Sequence, residues 1–365
     1  MSSEVKSKLI KAIFVIVYIY LFLLSIKLLG HSFKLFGEGF AESMIQMTSN
    51  PFAGLIIGII ATSLIQSSST TTSLVVGMVA GGALTLENAI PIIMGANIGT
   101  TITNTLVSFG HITRRAEFKR AFSASIVHDF FNVLAVIVLF PIEMFFHPIQ
   151  KSASILENIF SSAGGYKAFN PLKFILDPAI QLFDSIFTQL PQPHIFLMIF
   201  SIIILFMSLI QLVKTIRSLV IHRLEVIIND YLFKNAVIGF LLGAIITAVV
   251  QSSSVTTSII IPLAGAGIVT VAQIFPYTLG SNIGTTVTAL LAAMTTQNTV
   301  AVTVAFSHLC FNIFGIAIFY PLRRIPINLS IYIGEKVGKS TRNLAIYITI
   351  YILLYFIPIM FIFLI

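Results

Sequence analysis

Apolar residues in this chain come in long unbroken runs, not in the alternating or three-to-four spacing of a water-soluble fold. Seven runs, approximately 10–29, 89–108, 122–146, 195–213, 272–294, 299–321 and 344–365, are long enough as helices to cross a hydrocarbon core that needs roughly 20 residues. Two more, 52–82 and 237–269, are cut near the middle by Gln-Ser-Ser-Ser, leaving arms too short to span alone. This predicts a re-entrant hairpin or broken helix at each, because irregular backbone at that depth is tolerated only where protein or a water-filled cavity lines it. Two ordinary spans joined by a polar loop are the plainer alternative. Mixed apolar and charged stretches before each cut run, at 31–50 and 215–235, predict helices lying at the membrane interface.

The two cut runs are copies of one another. QSSSTTTS at 66–73 returns as QSSSVTTS at 251–258, and GANIGTTIT at 95–103 returns as GSNIGTTVT at 280–288. Both recur at one offset (66 to 251, 95 to 280), which implies duplication of a whole folding unit. If each hairpin enters and leaves on one side, each unit holds three full spans. Three is odd, so the second unit is inserted upside down.

With the N-terminus inside, sixteen of the Lys and Arg residues fall on the inner side, among them Lys6, Arg114, Lys119, Lys214 and Arg323. Five (Lys27, Lys34, Lys151, Lys167 and Lys173) fall outside, in agreement with the positive-inside rule. The expected fold is therefore an all-α polytopic membrane protein of two inverted-topology repeats, with about seven full spans plus two QSSS hairpins. Residues 1–146 form repeat one, 147–194 an external connection, 195–322 repeat two, and 323–365 a basic linker and C-terminal span ending outside. Five prolines in 147–194 argue against one long helix there.

Composition agrees. Hydrophobic residues make up 57% and charged residues 9%, where soluble domains carry about 25% charged. The net charge of +8 would suggest nucleic acid in a soluble protein, but here it reports orientation in the bilayer. Lys27 is expected to snorkel from a helix end. The single cysteine, Cys310, lies in a span and offers no disulfide or thiolate metal site. No small-residue cleavage signal follows the first run, so 10–29 reads as a retained span.

Repeated polar motifs at bilayer depth mark a transporter's binding site. The QSSS turns supply hydroxyls, amides and backbone N–H groups at the starts of half-helices, where the positive dipole end favours an anion. The expected anion site is Gln66, Ser67, Ser68, Ser69, Gln251, Ser252, Ser253 and Ser254, with Asn97 and Asn282 from the neighbouring motif. Ser68 and Ser253 are the hydroxyl donors singled out. The Asn-Ile-Gly-Thr-Thr segments, read as turns, add carbonyls and the Thr100 and Thr101 hydroxyls for a hard cation such as Na⁺. An anion held without a fixed cation needs co-bound cations, which points to cation-coupled anion transport.

Ser and Thr also serve merely to join membrane helices, and Gly54, Gly58, Gly239 and Gly243 are expected to permit close packing. A second pair of motifs is His128-Asp129-Phe130-Phe131-Asn132 and His308-Leu309-Cys310-Phe311-Asn312. His and Asn four apart share a helix face. Asp129 is the one carboxylate well inside a span, since Glu143 sits near a helix end, and a lone buried carboxylate stays protonated or binds a cation. A Na⁺ role is expected for it, and helix-packing hydrogen bonds for the two histidines.

These residues resemble the type II sodium-dependent phosphate cotransporters, over nearly all of 10–322. The resemblance rests on QSSSTTTSLVVGMV, AIPIIMGANIGTTITNTLV, RAFSASIVHDFFNVLAVIVLFP, QSSSVTTS, PYTLGSNIGTTVTALLAA and SHLCFNIFGIAIFYP. It implies that both QSSS turns form the phosphate site and contribute to Na⁺ coordination. It also implies a cation site at Asp129, Asn132, Ser281, Thr285 and Thr288. Members with Asp at the Asp129 position are electrogenic, so this chain resembles that kind. The connection 147–194 is shorter than the cysteine-bearing, glycosylated loop of animal members, and segment 108–115 departs from the family's usual loop.

The expected activity is uptake of inorganic phosphate driven by the inward Na⁺ gradient, by alternating access, in a bacterial inner membrane. No cofactor is expected, nor nucleic acid; the partners are phosphate, Na⁺ and the lipid bilayer, with a homodimer admitted but not required. A Na⁺-coupled carrier of another oxyanion, a phosphate exporter and an anion channel remain as alternatives. An enzyme is not expected: adjacent His128 and Asp129 point about 100° apart on a helix and cannot orient one another as a triad does.

Overall fold

A computed structural model describes the backbone of residues 3–168, 170–231 and 235–362. Side chains are described within those stretches except at 3–4, 167–168, 170–171, 173, 221–231 and 354–362. Every regular element among the described residues is helical. The first half runs α1 (Ser3–Leu35), α2 (Glu38–Met47), α3 (Pro51–Ile65), α4 (Ser68–Ala80), α5 (Leu86–Gly99), α6 (Ile102–Ser108), a 3₁₀ turn (Phe109–His111) and α7 (Arg115–Phe146). The connection holds α8 (Pro148–Ser162), α9 (Gly165–Ala168) and α10 (Asn170–Phe187). The second half runs α11 (Pro193–Tyr231), α12 (Ala236–Val250), α13 (Ser253–Ser258), α14 (Ile260–Gly265), α15 (Val271–Thr296) and α16 (Thr299–Phe319). Helices α17 (Arg324–Val337) and α18 (Thr341–Ile362) follow.

Among the described residues five helices are long and apolar enough to cross a membrane: α1, α5 through the 3₁₀ turn, α7, α11 and α16. The run 272–294 does form one continuous 26-residue helix, α15, but its Ser, Asn and Thr residues keep it less apolar than those five. The last run is helical through Ile362, and its end lies outside the described residues. The outward faces suit a bilayer. Ile13 and Ile16 on α1 and Ile203 and Met207 on α11 are all exposed.

The stretches expected to lie at the interface differ from each other. Residues 31–35 complete α1, and α2, which buries no residue, meets α3 at 94°. In the second half α11 runs unbroken through 215–231, because nothing in that stretch ends a helix. A separate interfacial helix there is therefore corrected, and 232–234 lie outside the described residues. The connection is broken into helices as its prolines require, and it is pinned to α1 by two polar contacts. Lys27 Nζ meets Asp177 Oδ1 at 3.1 Å and His31 Nε2 meets Asp184 Oδ1 at 2.9 Å. Lys27 therefore does not snorkel from a helix end. It sits well inside α1, 13% exposed, beside a carboxylate of α10.

The two halves are built alike at many of the residues that the 185-residue offset pairs. Asn50 and Asn235 cap α3 and α12, accepting from the N–H of Phe52 at 2.9 Å and of Ile238 at 2.8 Å. Both helices end on a left-handed glutamine, Gln66 (φ 56) and Gln251 (φ 60). Thr85 and Thr270 cap α5 and α15, each of which carries an internal proline, Pro91 and Pro276.

Packing repeats as well. A Cβ on Gly58 would lie 1.9 Å from the Ile92 carbonyl oxygen, and one on Gly95 2.0 Å from that of Leu55. In the second half the counterparts are Gly243, 2.1 Å from the Tyr277 oxygen, and Gly280, 1.9 Å from the Phe240 oxygen. Only glycine admits backbones this close, so α3 is seated on α5 as α12 is on α15. The main apolar core gathers α1 (Phe22, Ile26), α4 (Val75, Val76), α15 (Ala289, Ala292) and α16 (Val304, Ala305).

The halves differ at Asn-Ile-Gly-Thr-Thr. In the first, Thr100 and Thr101 interrupt the helix between α5 and α6; in the second, the pentapeptide lies inside unbroken α15. The expectation of two turns is thus corrected for 282–286, whose carbonyls belong to a continuous helix.

Candidate functional site

Each QSSS motif is a helix end, a left-handed residue and a helix start in immediate succession. After Gln66 the chain turns extended at Ser67, whose Oγ accepts from the Thr70 N–H at 3.2 Å and from the Thr70 hydroxyl at 2.8 Å. After Gln251, Ser252 does the same for α13, its Oγ accepting from the Val255 N–H at 3.3 Å. Ser67 and Ser252 are therefore N-caps, which the sequence reading did not distinguish from the serines that follow them. With the third N–H of each helix taken by the cap, those of Ser68 and Ser69, and of Ser253 and Ser254, have no intrahelical acceptor.

One cavity of about 250 Å³ brings the two breaks together, with Gln66, Ser67, Ser69 and Thr70 on one wall and Gln251 and Ser252 on another. That volume is several times the ~30 Å³ share of a single water. The remaining wall is a face of α11, Phe206, Ile210 and Lys214, with Leu209 and Val213 between them. These α11 residues were not expected at the site. Their i, i+4, i+8 spacing is a signal that could have shown they share a face.

Lys214 supplies what the sequence reading lacked, a fixed positive charge beside both motifs. Ser68 and Ser253, the donors singled out from sequence, are each only 4% exposed and lie off the cavity wall, as does Ser254.

The glutamines are held unequally. Gln251 accepts from the Thr288 hydroxyl at 2.7 Å and donates through Nε2 to the Ala248 carbonyl. Gln66 makes no side-chain hydrogen bond among the described residues, and Thr103, which stands where Thr288 does, has a buried hydroxyl without a partner. The helix interruption at Thr100–Thr101, which the second half lacks, lies just before Thr103.

Asn97 and Asn282, expected at the anion, lie instead in a buried network that crosses between the halves. His128 Nε2 meets Asn282 Oδ1 at 2.6 Å, and reciprocally His308 Nε2 meets Asn97 Oδ1 at 3.3 Å. Asn132 Nδ2 donates to the Asn97 carbonyl at 2.7 Å, and Asn282 Nδ2 donates to Asn132 Oδ1 at 2.8 Å. The histidines thus make inter-helix hydrogen bonds, as the sequence suggested.

Asp129 is 9% exposed, and both its carboxylate oxygens are buried without a hydrogen-bond partner among the described residues. Thr101 and Thr105 are the side chains close enough to interact with it, and the Thr105 hydroxyl is itself without a partner. This group abuts the second break. The Thr257 hydroxyl donates to Asn104 Oδ1 at 2.9 Å, and Ser254 Oγ lies 3.5 Å from the Thr100 carbonyl oxygen. Glu143, by contrast, is fully used, accepting from the N–H groups of Ile149 at 2.7 Å and Gln150 at 3.0 Å where α8 begins.

The other expected cation ligands are engaged elsewhere. Ser281 shares a hydrogen bond with Thr247 at 2.8 Å, the Thr285 hydroxyl donates to the Ser281 carbonyl at 2.9 Å, and Thr288 holds Gln251. The Thr100 and Thr101 hydroxyls donate to their own helix, at Ala96 (2.9 Å) and Ile98 (3.0 Å). Thr101 is thus the one member of that set that the structure gathers around Asp129.

The chain is 34% identical to "Sodium-dependent phosphate transport protein 2A" of Rattus norvegicus, over 96% of this chain and 67% of the relative. It is 35% identical to the Ovis aries protein of that name (95% and 66%) and 33% identical to "Sodium-dependent phosphate transport protein 2B" of Homo sapiens (92% and 63%). The chain thus spans about two thirds of the length of these relatives. No solved structure matches it. The Na+/Pi-cotransporter family model matches residues 21–159 and 204–334, two stretches that carry one QSSS break each, and the chain belongs to that family.

Proposed function

We propose that this chain is a secondary transporter coupling the inward Na⁺ gradient to uptake of inorganic phosphate, by alternating access between two inverted-topology repeats. The observation that carries the reading is the single cavity walled by both QSSS breaks and Lys214. A tetrahedral oxyanion there meets the Ser67, Ser69 and Ser252 hydroxyls, the amides of Gln66 and Gln251, and N–H groups at two helix starts. Lys214 offsets part of its charge, and co-bound Na⁺ the remainder.

Asp129 is the cation's carboxylate. Two buried, unpartnered oxygens with the Thr101 and Thr105 hydroxyls beside them form a hard-oxygen donor set, which suits Na⁺. Sodium bound there offsets the cost of burying the charge. Because the group adjoins α13 through Thr257 and Asn104, its occupancy bears on how the second break is held. Such a coupling makes phosphate and Na⁺ bind together.

The unequal state of two halves that share their motifs supports alternating access. One half holds its glutamine and keeps its Asn-Ile-Gly-Thr-Thr helical; the other does neither. Exchanging these states between repeats would open the cavity to the opposite side. The test is uptake of labelled phosphate into liposomes holding the purified chain. Accumulation should require an inward Na⁺ gradient, and equal accumulation with K⁺ replacing Na⁺ would overturn the proposal.

A further inference from the structure

A second cavity, of about 590 Å³, lies between the start of α7, the segment joining α14 to α15, and α17. One wall is basic. Arg115 and Lys119 stand at i and i+4 on one face of α7, and Arg120 lines the same cavity beside them. The facing wall is largely apolar, with Val269, Val271 and, on α17, Ile331, beside Thr270 and Glu335. The two long helices touch beneath it. A Cβ on Gly334 would fall 2.0 Å from Ser123 Oγ, and one on Gly338 2.2 Å from Lys119 Cγ, so the Lys119 stem is pressed against α17.

The three cations are not equally free. Arg120 donates to the Gly265 carbonyl through Nε at 2.9 Å and Nη2 at 2.6 Å, clamping the end of α14 to α7. The side chains of Arg115 and Lys119 have neither an ion pair nor a hydrogen bond among the described residues, and Glu335, the acid lining this cavity, pairs with neither. Two unpaired cations therefore face an apolar wall at the foot of a helix long and apolar enough to cross a membrane. Inorganic phosphate would use the cations but gain nothing from Val269, Val271 and Ile331. A lipid with an anionic headgroup uses both.

We infer that this cavity binds an anionic phospholipid, its phosphodiester on Arg115 and Lys119 and the upper part of an acyl chain along Val271 and Ile331. The bound lipid lies beside the Arg120–Gly265 clamp, so the lipid composition of the membrane acts on how firmly the second broken element is anchored.

The chain contains no tryptophan, which makes a direct test available. In Ile331→Trp, reconstituted in phosphatidylcholine vesicles, trace brominated phosphatidylglycerol and trace brominated phosphatidylcholine are compared as quenchers. A basic side chain near the membrane surface enriches an anionic lipid about fivefold. Phosphatidylglycerol should therefore quench at a mole fraction lower by at least about that factor. Ile199→Trp, on the exposed face of α11, should show no such preference.

Adding Arg115→Gln and Lys119→Gln to Ile331→Trp should erase the preference, and Arg115→Gln alone should reduce it about fivefold. Both positions lie on the cavity wall outside the core, and unchanged thermal unfolding of the single variant confirms that loss of preference is not loss of fold. Equal quenching by the two lipids overturns the inference, as does a preference that survives the double substitution. Abolition of the preference by millimolar inorganic phosphate overturns it too, by assigning the cavity to a free oxyanion.

Discussion

Replacing Ser69 with alanine separates contact with the anion from helix capping, which the neighbouring serines confound. Ser69 is the second residue of α4, lies on the cavity wall and makes no side-chain hydrogen bond to the protein among the described residues. Its removal therefore leaves no protein group unsatisfied, and alanine is the best helix former for the vacated position. The expected loss is one hydroxyl donor to an ionised ligand, worth about 1.5–3 kcal/mol. That corresponds to roughly a 10- to 150-fold rise in the KM for phosphate.

Thermal unfolding should move little, because Ser69, although only 4% exposed, gives up no hydrogen bond within the protein. Ser67→Ala is the contrast, because its Oγ also caps α4. It should raise KM and in addition cost about 0.5–2 kcal/mol of stability. The assay is the initial rate of Na⁺-driven uptake of labelled phosphate into liposomes over a range of phosphate concentrations, run beside unfolding in detergent. A KM for Ser69→Ala within about twofold of the parent chain, below what one such hydrogen bond is worth, would show that the start of α4 does not touch the anion.

Three further outcomes follow from the same geometry. Asp129→Gly should remove one cation per cycle, so uptake loses its response to an imposed membrane potential, worth roughly 2.3 kcal/mol per charge per 100 mV. A valinomycin-imposed potential that still accelerates the variant fully rules Asp129 out as that ligand. Lys214→Gln should weaken phosphate binding, and because Lys214 is exposed the deficit should shrink as ionic strength rises. Lys214→Arg should restore binding, and a deficit indifferent to salt would contradict an electrostatic role. For topology, single cysteines at Ser161 and Ser340, in a chain lacking the buried Cys310, should label from opposite sides of the membrane. Labelling of both from outside sinks the inverted arrangement.

Much of this was legible in the chain because the repeat offset acts on every level of structure at once. Asn50 and Asn235 cap, Thr85 and Thr270 cap, and the glycine pairs bring helix backbones together, all in register with the QSSS motifs. Such features are local, or depend on one small residue, and so show in sequence. Three findings did not. Lys27 and Asp177 lie 150 residues apart, and no local pattern announces such a pair. Lys214 was read only as a topological charge, since its place on the cavity wall depends on how α11 rotates against the two breaks. The serines were treated as equivalent, although the first of each motif also caps a helix and, of those that follow, Ser69 lines the cavity while Ser68, Ser253 and Ser254 do not.

The remaining gap is the most informative. Asn-Ile-Gly-Thr-Thr occurs twice, yet it is interrupted at 97–101 and helical at 282–286. A pentapeptide that takes two backbones within one chain has little intrinsic preference between them, so tertiary contacts decide. The contacts that differ between the halves include Thr288 on Gln251 in one, where in the other the Thr103 hydroxyl and the Gln66 side chain have no hydrogen-bond partner among the described residues. A hydrogen bond of this kind contributes about 0.5–1.5 kcal/mol net, far less than the binding energy of an ion. On the proposed reading, ligand arriving at Ser67, Ser252 and Lys214, with Na⁺ at Asp129, would be energetically able to decide which half is held. That is the condition a two-state carrier must meet, since a ligand shifts an equilibrium only by its differential affinity for the two states.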